Sequence, residues 1–265
     1  MAGVESTDRP LAAAGAAGAE APFIIWTLRR TGGTSLRQML YWLSRHAAWQ
    51  DEALNREREL GHITRGFDQD GDRARLDSAM AEVAAARKNL KHCIDTVPYH
   101  VTSALLRQTV AAGYGHVVLL RLDETDRQIS LALARATKAW GPTEAEEIYA
   151  AIREGRTALE PLNLNHIRDQ LERDAAALGR LMRLLMLHRV RHTMIFFEDL
   201  YAGPFRARVT ALRGLAGTLG LGRAEEKPDN AFRGALMNRS QDTRSIFPFV
   251  PNLEEARAMV AGLTE

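Results

Sequence analysis

Residues 23–40 read FIIWTLRRTGGTSLRQML, and the fold turns on how this stretch is parsed. Phe23, Ile24, Ile25 and Trp26 form an unbroken run of β-branched and aromatic residues, the pattern of a buried strand. From Thr34 onward, apolar residues recur at Leu36, Met39, Leu40 and Leu43, the spacing of an amphipathic helix. Between them lies a basic turn, Arg29-Arg30-Thr31-Gly32-Gly33. Two adjacent glycines permit positive φ angles and close approach of backbone to a ligand. The amides of Thr31 to Ser35 would then converge at a helix N-terminus, where the dipole favours an anion. Thr34 and Ser35 add hydroxyl donors, and Arg29 and Arg30 bring charge to the rim. A Gly-Gly turn carrying solvated arginines fits the same residues, so the loop alone leaves both readings open.

The alternation continues along the chain. LKHCI (90–94), HVVLLRL (116–122) and HTMIFFEDL (192–200) read as further strands. Helical spacing covers 72–89, 98–113, 124–140, 167–189 and about 205–220, with a short helix near the end. Gly141-Pro142 is expected to stop the helix before it, and residues 46–67 and 143–164 show no clear period. Strands alternating with helices predict an α/β fold with a mostly parallel central sheet flanked by helices. Such sheets bind ligands beyond the carboxyl ends of their strands, where RRTGGTS, RLDE and FEDL all fall. The alanine-rich residues 1–21 are expected to be a flexible tail and not a signal peptide, leaving 22–265 as a single α/β domain.

Composition narrows the class. Hydrophobic residues make up 46% and charged residues 26% of 265, the balance of a soluble globular chain. A net charge of +2 gives no footing for a nucleic-acid coat, so no nucleic-acid partner is expected. No apolar run reaches the ~18 residues of a membrane span. One cysteine, Cys93, excludes an intrachain disulfide and fits a reducing, cytoplasmic compartment. No His/Cys cluster has ligand spacing, so no metal is expected. Four of the 35 basic residues are lysine, leaving 31 arginines. Arginine is the better bidentate phosphate ligand, although codon usage alone accounts for such a skew.

A second site follows from LLRLDETDRQIS. Arg121 ends a strand and Ser130 lies about two turns into the next helix, so both can reach one ligand above the sheet edge, suiting a second phosphate. Taken alone, Arg121 could equally pair with Asp123 or Glu124. A nucleotide kinase or NTPase would need G-x-x-x-x-G-K-S/T, and no lysine follows Gly33.

Together these motifs resemble the sulfotransferases that use 3′-phosphoadenosine-5′-phosphosulfate (PAPS). LRRTGGTSL is similar to their 5′-phosphosulfate loop, with Arg30, Thr31, Gly32 and Thr34 on the pattern and Gly33 replacing a hydroxyl residue. LLRLDETDRQISLALARATKAW resembles their 3′-phosphate motif. Its nine-residue Arg–Ser spacing, the trailing A-x-x-T-x-x-W, FEDL before Gly-Pro and NRSQDTRS look most like the bacterial trehalose-sulfotransferase branch. The resemblance runs from about 22 to 253. It implies the sulfotransferase fold, with a P-loop-like strand–loop–helix phosphate site, and transfer of a sulfuryl group from PAPS to a hydroxyl of a small metabolite or glycan, with PAP as product and no metal. It assigns the donor to Arg29, Arg30, Thr31, Gly32, Gly33, Thr34, Ser35, Arg121 and Ser130, with Arg239, Ser240 and Arg244 covering the nucleotide. A kinase or NTPase of the same broad fold, or a non-catalytic nucleotide-binding protein, stands as the alternative.

Sulfuryl transfer asks little covalent work of the protein. By analogy with phosphoryl transfer it needs alignment, charge stabilisation on the leaving phosphate and removal of a hydroxyl proton. Arg30 and the loop amides suit the second task. For the third, the resemblance offers Glu52, in a region where the bacterial branch carries a base, and His92. Histidine-using members read KTH at this strand; here Lys91-His92 is one residue displaced, which in a strand turns a side chain to the other face. Lys91 adds a further candidate contact to phosphate or acceptor. Trp49, Phe67, Trp140 and Tyr149 are candidates to stack on an acceptor. The long helix over 167–189 leaves open a homo-oligomer.

Overall fold

The computed structural model describes residues 20–237 and 242–264. Most of the expected tail, and with it Arg239 and Ser240, lies outside them.

β1 (Phe23–Thr27) is buried along its whole length. It is followed by α1 (Gly33–Leu43), a turn-rich stretch, α2 (Gly61–Asp70), α3 (Arg73–Ala85), β2 (Leu90–Cys93) and α4 (Tyr99–Ala111). The chain then forms β3 (Gly115–Leu120), α5 (Glu124–Thr137), α6 (Pro142–Arg153), α7 (Leu164–Leu187) and β4 (His192–Phe196). After the strands come α8 (Phe197–Tyr201), α9 (Phe205–Thr218), α10 (Arg233–Met237), a 3₁₀ segment at Thr243–Phe249 and α11 (Leu253–Thr264).

The sheet is parallel throughout, in the order β2-β1-β3-β4. The chain moves from β1 outward to β2, then back across to β3 on the other side of β1. The crevice at the carboxyl ends of β1 and β3 is therefore the switch point at which open α/β sheets receive ligands. Strand alternation gives two cores. Ile24, Trp26, Leu90 and Val118 face α3, α4 and α7; Phe23, Ile25, Val117, Leu119 and Ile195 face α1 and α9. A third cluster joins α5, α6 and α11 through Ile129, Tyr149, Phe247 and Val260.

Two expectations need correction. Residues 46–67 are not wholly irregular, because α2 begins at Gly61; it buries only Gly61 and Thr64, so little periodicity marks it. Gly141-Pro142 does not terminate the preceding helix. α5 ends at Thr137, where Lys138 turns left-handed at φ 58, and Pro142 instead opens α6 across the stretch that showed no period. Proline suits a first helical position because the amide it lacks would go unbonded there.

Candidate functional site

At the carboxyl ends of β1, β2 and β3 lies a cleft of about 680 Å³, within the ~300–1,000 Å³ range of small-molecule sites. Its floor is the turn between β1 and α1. Here Arg30 takes a left-handed backbone (φ 65) and Gly32 another (φ 81). A Cβ on Gly32 would lie 2.8 Å from the rings of both Phe197 and Tyr201, so glycine is required there by space as well as by φ. At Gly33 a Cβ would press on Thr27 at 3.2 Å and on the Lys91 stem at 3.3 Å. The first α1 hydrogen bond runs from the Leu36 amide to the Gly32 carbonyl (3.2 Å), and no side chain caps the helix. The amides of Gly33, Thr34 and Ser35 precede that bond at the helix's positive end.

The two loop arginines diverge. Arg29 Nε donates to Asp95 at 2.6 Å, and its guanidinium lies 6.0 Å from the Trp140 ring. Arg30 reaches the opposite way: Nε donates to Ser130 Oγ at 2.8 Å and Nη2 to Thr243 Oγ1 at 2.7 Å. Expected at the rim, where it would stabilise charge on the leaving phosphate, the Arg30 guanidinium sits against α5, beside Arg121. Arg121 donates to the Arg30 carbonyl at 3.2 Å, stacks 4.5 Å over the Phe197 ring, and lies 3.5 Å from Asp126. Arg244 covers this end by pairing with Asp126 and, at 3.4 Å, with Asp123. The Arg121 Nε and the Thr31 hydroxyl are buried without a partner among the described residues. Burial, and the closeness of Arg121, lower the Arg30 pKa from the ordinary arginine range. Burial likewise lowers that of Arg121, against the pull of Asp123 and Asp126. Among the described residues no carboxylate pairs with Arg30.

The other end is built around Lys91, 3% exposed. Its Nζ lies 2.8 Å from Asp51, donates to Glu52 Oε1 at 3.1 Å and reaches Thr34 Oγ1 at 3.3 Å. Thr34 in turn donates to Asp51 at 3.1 Å. Burial alone would lower the Lys91 ammonium, but Cys93, Glu52 and Asp51 around it hold it above the usual lysine range. Burial would raise Asp51; Lys91, by charge and hydrogen bond, with help from Arg37 and Thr34, holds it below the usual aspartate range. Glu52 stands on a left-handed backbone (φ 53) and lines the cleft with Cys93.

His92 does not face this cleft. In the sheet Trp26 pairs with His92 and Ile25 with Lys91, so the two neighbours on β2 point to opposite faces. The imidazole lies edge-on to Trp26 at 5.5 Å, and its Nε2 is 3.0 Å from Thr102 Oγ1. Burial lowers its pKa to about 4, although Glu52 pulls upward. This corrects the expectation of a histidine facing the site. Of the aromatic residues considered for an acceptor, Trp140 lines the cleft. Tyr149 is 2% exposed in the third core, Trp49 sits under Lys88, and Phe67 meets His100. Glu198 accepts from the amides of Leu122 and Asp123, and Asp199 from that of Phe196, so both brace turns.

Sequence reasoning missed Asp51, Asp95 and Thr243. Asp51 stood beside a residue already singled out; nothing local marked the other two.

The site therefore joins a surplus of positive charge at one end to a lysine held by two carboxylates at the other, with the first-turn amides of α1 between. No protein-family model matches the chain, and no curated protein matches it.

Proposed function

We propose that the protein is a PAPS-dependent sulfotransferase acting on a hydroxyl of a small metabolite or glycan. The observation that carries this reading is Arg30: a part-buried guanidinium whose partners among the described residues are two hydroxyls, with Arg121 beside it. Buried charges are normally paired. A ligand phosphate would supply the missing anion, and the partnerless Arg121 Nε and Thr31 hydroxyl fit further oxygens. The amides of Gly33, Thr34 and Ser35 suit a second anion at the α1 N-terminus. Two anions on one ligand describe a 3′,5′-bisphosphorylated nucleoside, whereas the missing G-K-S/T lysine argues against a γ-phosphate.

PAPS, when bound, supplies an activated sulfuryl group on its 5′-phosphate. Arg30, Arg121 and Ser130 would hold the 3′-phosphate. The loop amides and Thr34 would hold the 5′ end and stabilise charge on the leaving oxygen. Lys91 would orient Glu52 through their 3.1 Å bond, and Glu52 would take the acceptor's proton. Calorimetry with PAP and with ATP tests the site. Tight binding of PAP and weak binding of ATP are expected, and the reverse would favour a kinase or NTPase. Transfer of labelled sulfate from PAPS to a hydroxyl acceptor tests the enzyme; PAP binding without transfer to any of a panel of sugars and alcohols would leave a nucleotide-binding protein.

A further inference from the structure

Arg127 is absent from the mechanism above, yet it is the most deeply buried arginine near the cleft. Its side chain and that of Asp174 are each 1% exposed. The guanidinium uses all three nitrogens. Nε donates to Glu124 at 2.8 Å, Nη2 to Asp174 at 2.5 Å, and Nη1 to the Arg29 carbonyl at 3.1 Å. Asp174 is itself completed by the amides of Gln128 (3.0 Å) and Gln170 (2.5 Å).

The Arg29 carbonyl is one of three neighbouring backbone groups tied from outside the loop. The Arg29 amide donates to Asp95 at 3.2 Å, its carbonyl accepts from Arg127, and the next carbonyl, of Arg30, accepts from Arg121 at 3.2 Å. Between these ties the chain enters the left-handed conformation at Arg30, which costs a non-glycine residue free energy unless its surroundings hold it. With two consecutive carbonyls drawn towards arginines, Arg30's side chain is directed to Ser130.

We propose that Arg127, held by Asp174 and Glu124, is a positioning residue that locks the β1–α1 turn in its anion-receiving form. It acts through the Arg29 carbonyl and touches no ligand. The assignment of what the turn receives rests on the proposed function; the lock itself does not.

Removing Arg127 alone would strand the buried Asp174 charge and risk the fold. The test is therefore the full-length double variant Arg127→Leu/Asp174→Leu, which removes the buried ion pair and leaves Glu124, at its part-exposed position, to solvent, together with Arg127→Lys, which keeps the charge but lacks the fork needed for both contacts. Thermal melting checks the fold, exchange of the hydrogen-bonded Arg29 and Leu36 amides without nucleotide reads the turn, and calorimetry with PAP reads the site.

The double variant leaves Glu124 and the Gln128 and Gln170 side-chain amides without these partners, so it should fold but melt below the wild type. It should exchange the Arg29 and Leu36 amides at least tenfold faster and bind PAP about tenfold or more weakly, the scale of one charge-assisted hydrogen bond. Arg127→Lys should fall between it and the wild type. Wild-type exchange at Arg29 and Leu36 in a folded double variant overturns the lock. If the double variant fails to fold, wild-type exchange at Arg29 and Leu36 in Arg127→Lys overturns it equally. A wild-type protein that does not bind PAP overturns the sulfotransferase reading instead, while the exchange comparison still decides the role of Arg127.

Discussion

At one end of the cleft Lys91 meets two carboxylates, Asp51 at 2.8 Å and Glu52 at 3.1 Å; at the other, Arg30 meets two hydroxyls, Ser130 at 2.8 Å and Thr243 at 2.7 Å. Lys91 is buried and Arg30 part-buried, but only the first is neutralised by the protein among the described residues. A neutralised end suits an uncharged hydroxyl and a proton in transit. An end with spare positive charge suits a permanent anion. The same short turn serves both, with Thr34 pointing to the lysine and Arg30 to the serine.

The largest test of this contrast is at the neutralised end. Glu52→Gln keeps the hydrogen bond to Lys91 but removes basicity. Turnover should fall by ~10²–10⁴-fold, the loss typical of a general base, while PAP affinity measured by calorimetry stays nearly constant. Unchanged turnover would remove Glu52 from the role, and a parallel loss of PAP affinity would mean the two ends are not separate.

At the cationic end, Arg121→Ala should weaken PAP binding by about tenfold to a hundredfold, matching a charge-assisted contact of ~1.5–3 kcal/mol. Adenosine 5′-phosphate should bind wild-type protein more weakly than PAP by a similar factor. Equal affinities for the two nucleotides would erase the asymmetry between the ends.

The two faces of β2 offer a third test. His92 and His116 are buried with pKa values lowered to about 4, by burial foremost and, at His116, by His192 as well. In the unfolded chain both return to ~6.5. The unfolded state thus binds more protons between those values, and stability is lost as pH falls from about 6.5 towards 4. His92→Gln should roughly halve the slope contributed by the pair, as read from urea midpoints against pH, with only a small change in turnover. A large loss of turnover without a loss of stability would return the histidine to the chemistry.

The smallest effect belongs to Arg29. Because it is already paired with Asp95 at 2.6 Å, Arg29→Ala should weaken PAP binding less than Arg121→Ala does. The reverse order in a titration would mean that the two loop arginines exchange roles on binding.

β1 and β3 were legible because parallel strands buried on both faces are written as short apolar runs, and most helices because of their spacing. α2 and α6 were not, since one buries only two residues and the other begins at a Gly-Pro pair that reads as a stop. Within the site, strand alternation alone states that Lys91 and His92 face opposite ways. Which of them faces the cleft depends on pairing with Trp26, a long-range fact. Thr243 lies 213 positions from Arg30 and Asp95 lies 66 from Arg29, so no local pattern could join them. Residue types suited to an anion could be read; which hydroxyl or carboxylate answers which cation required the fold.

The four tryptophans occupy very different surroundings. Trp26 is fully buried between His92 and His116, Trp42 leans on Phe232, and Trp49 lies under Lys88. Trp140 is 46% exposed and lines the cleft. Occupancy of the cleft is therefore coupled to the emission of one indole against a background of three that do not line it. A purine or acceptor arriving beside Trp140 changes its solvation and quenching, so binding can be followed by intrinsic fluorescence without a label. Trp140→Phe should darken that signal while leaving the Trp26 emission as an internal standard.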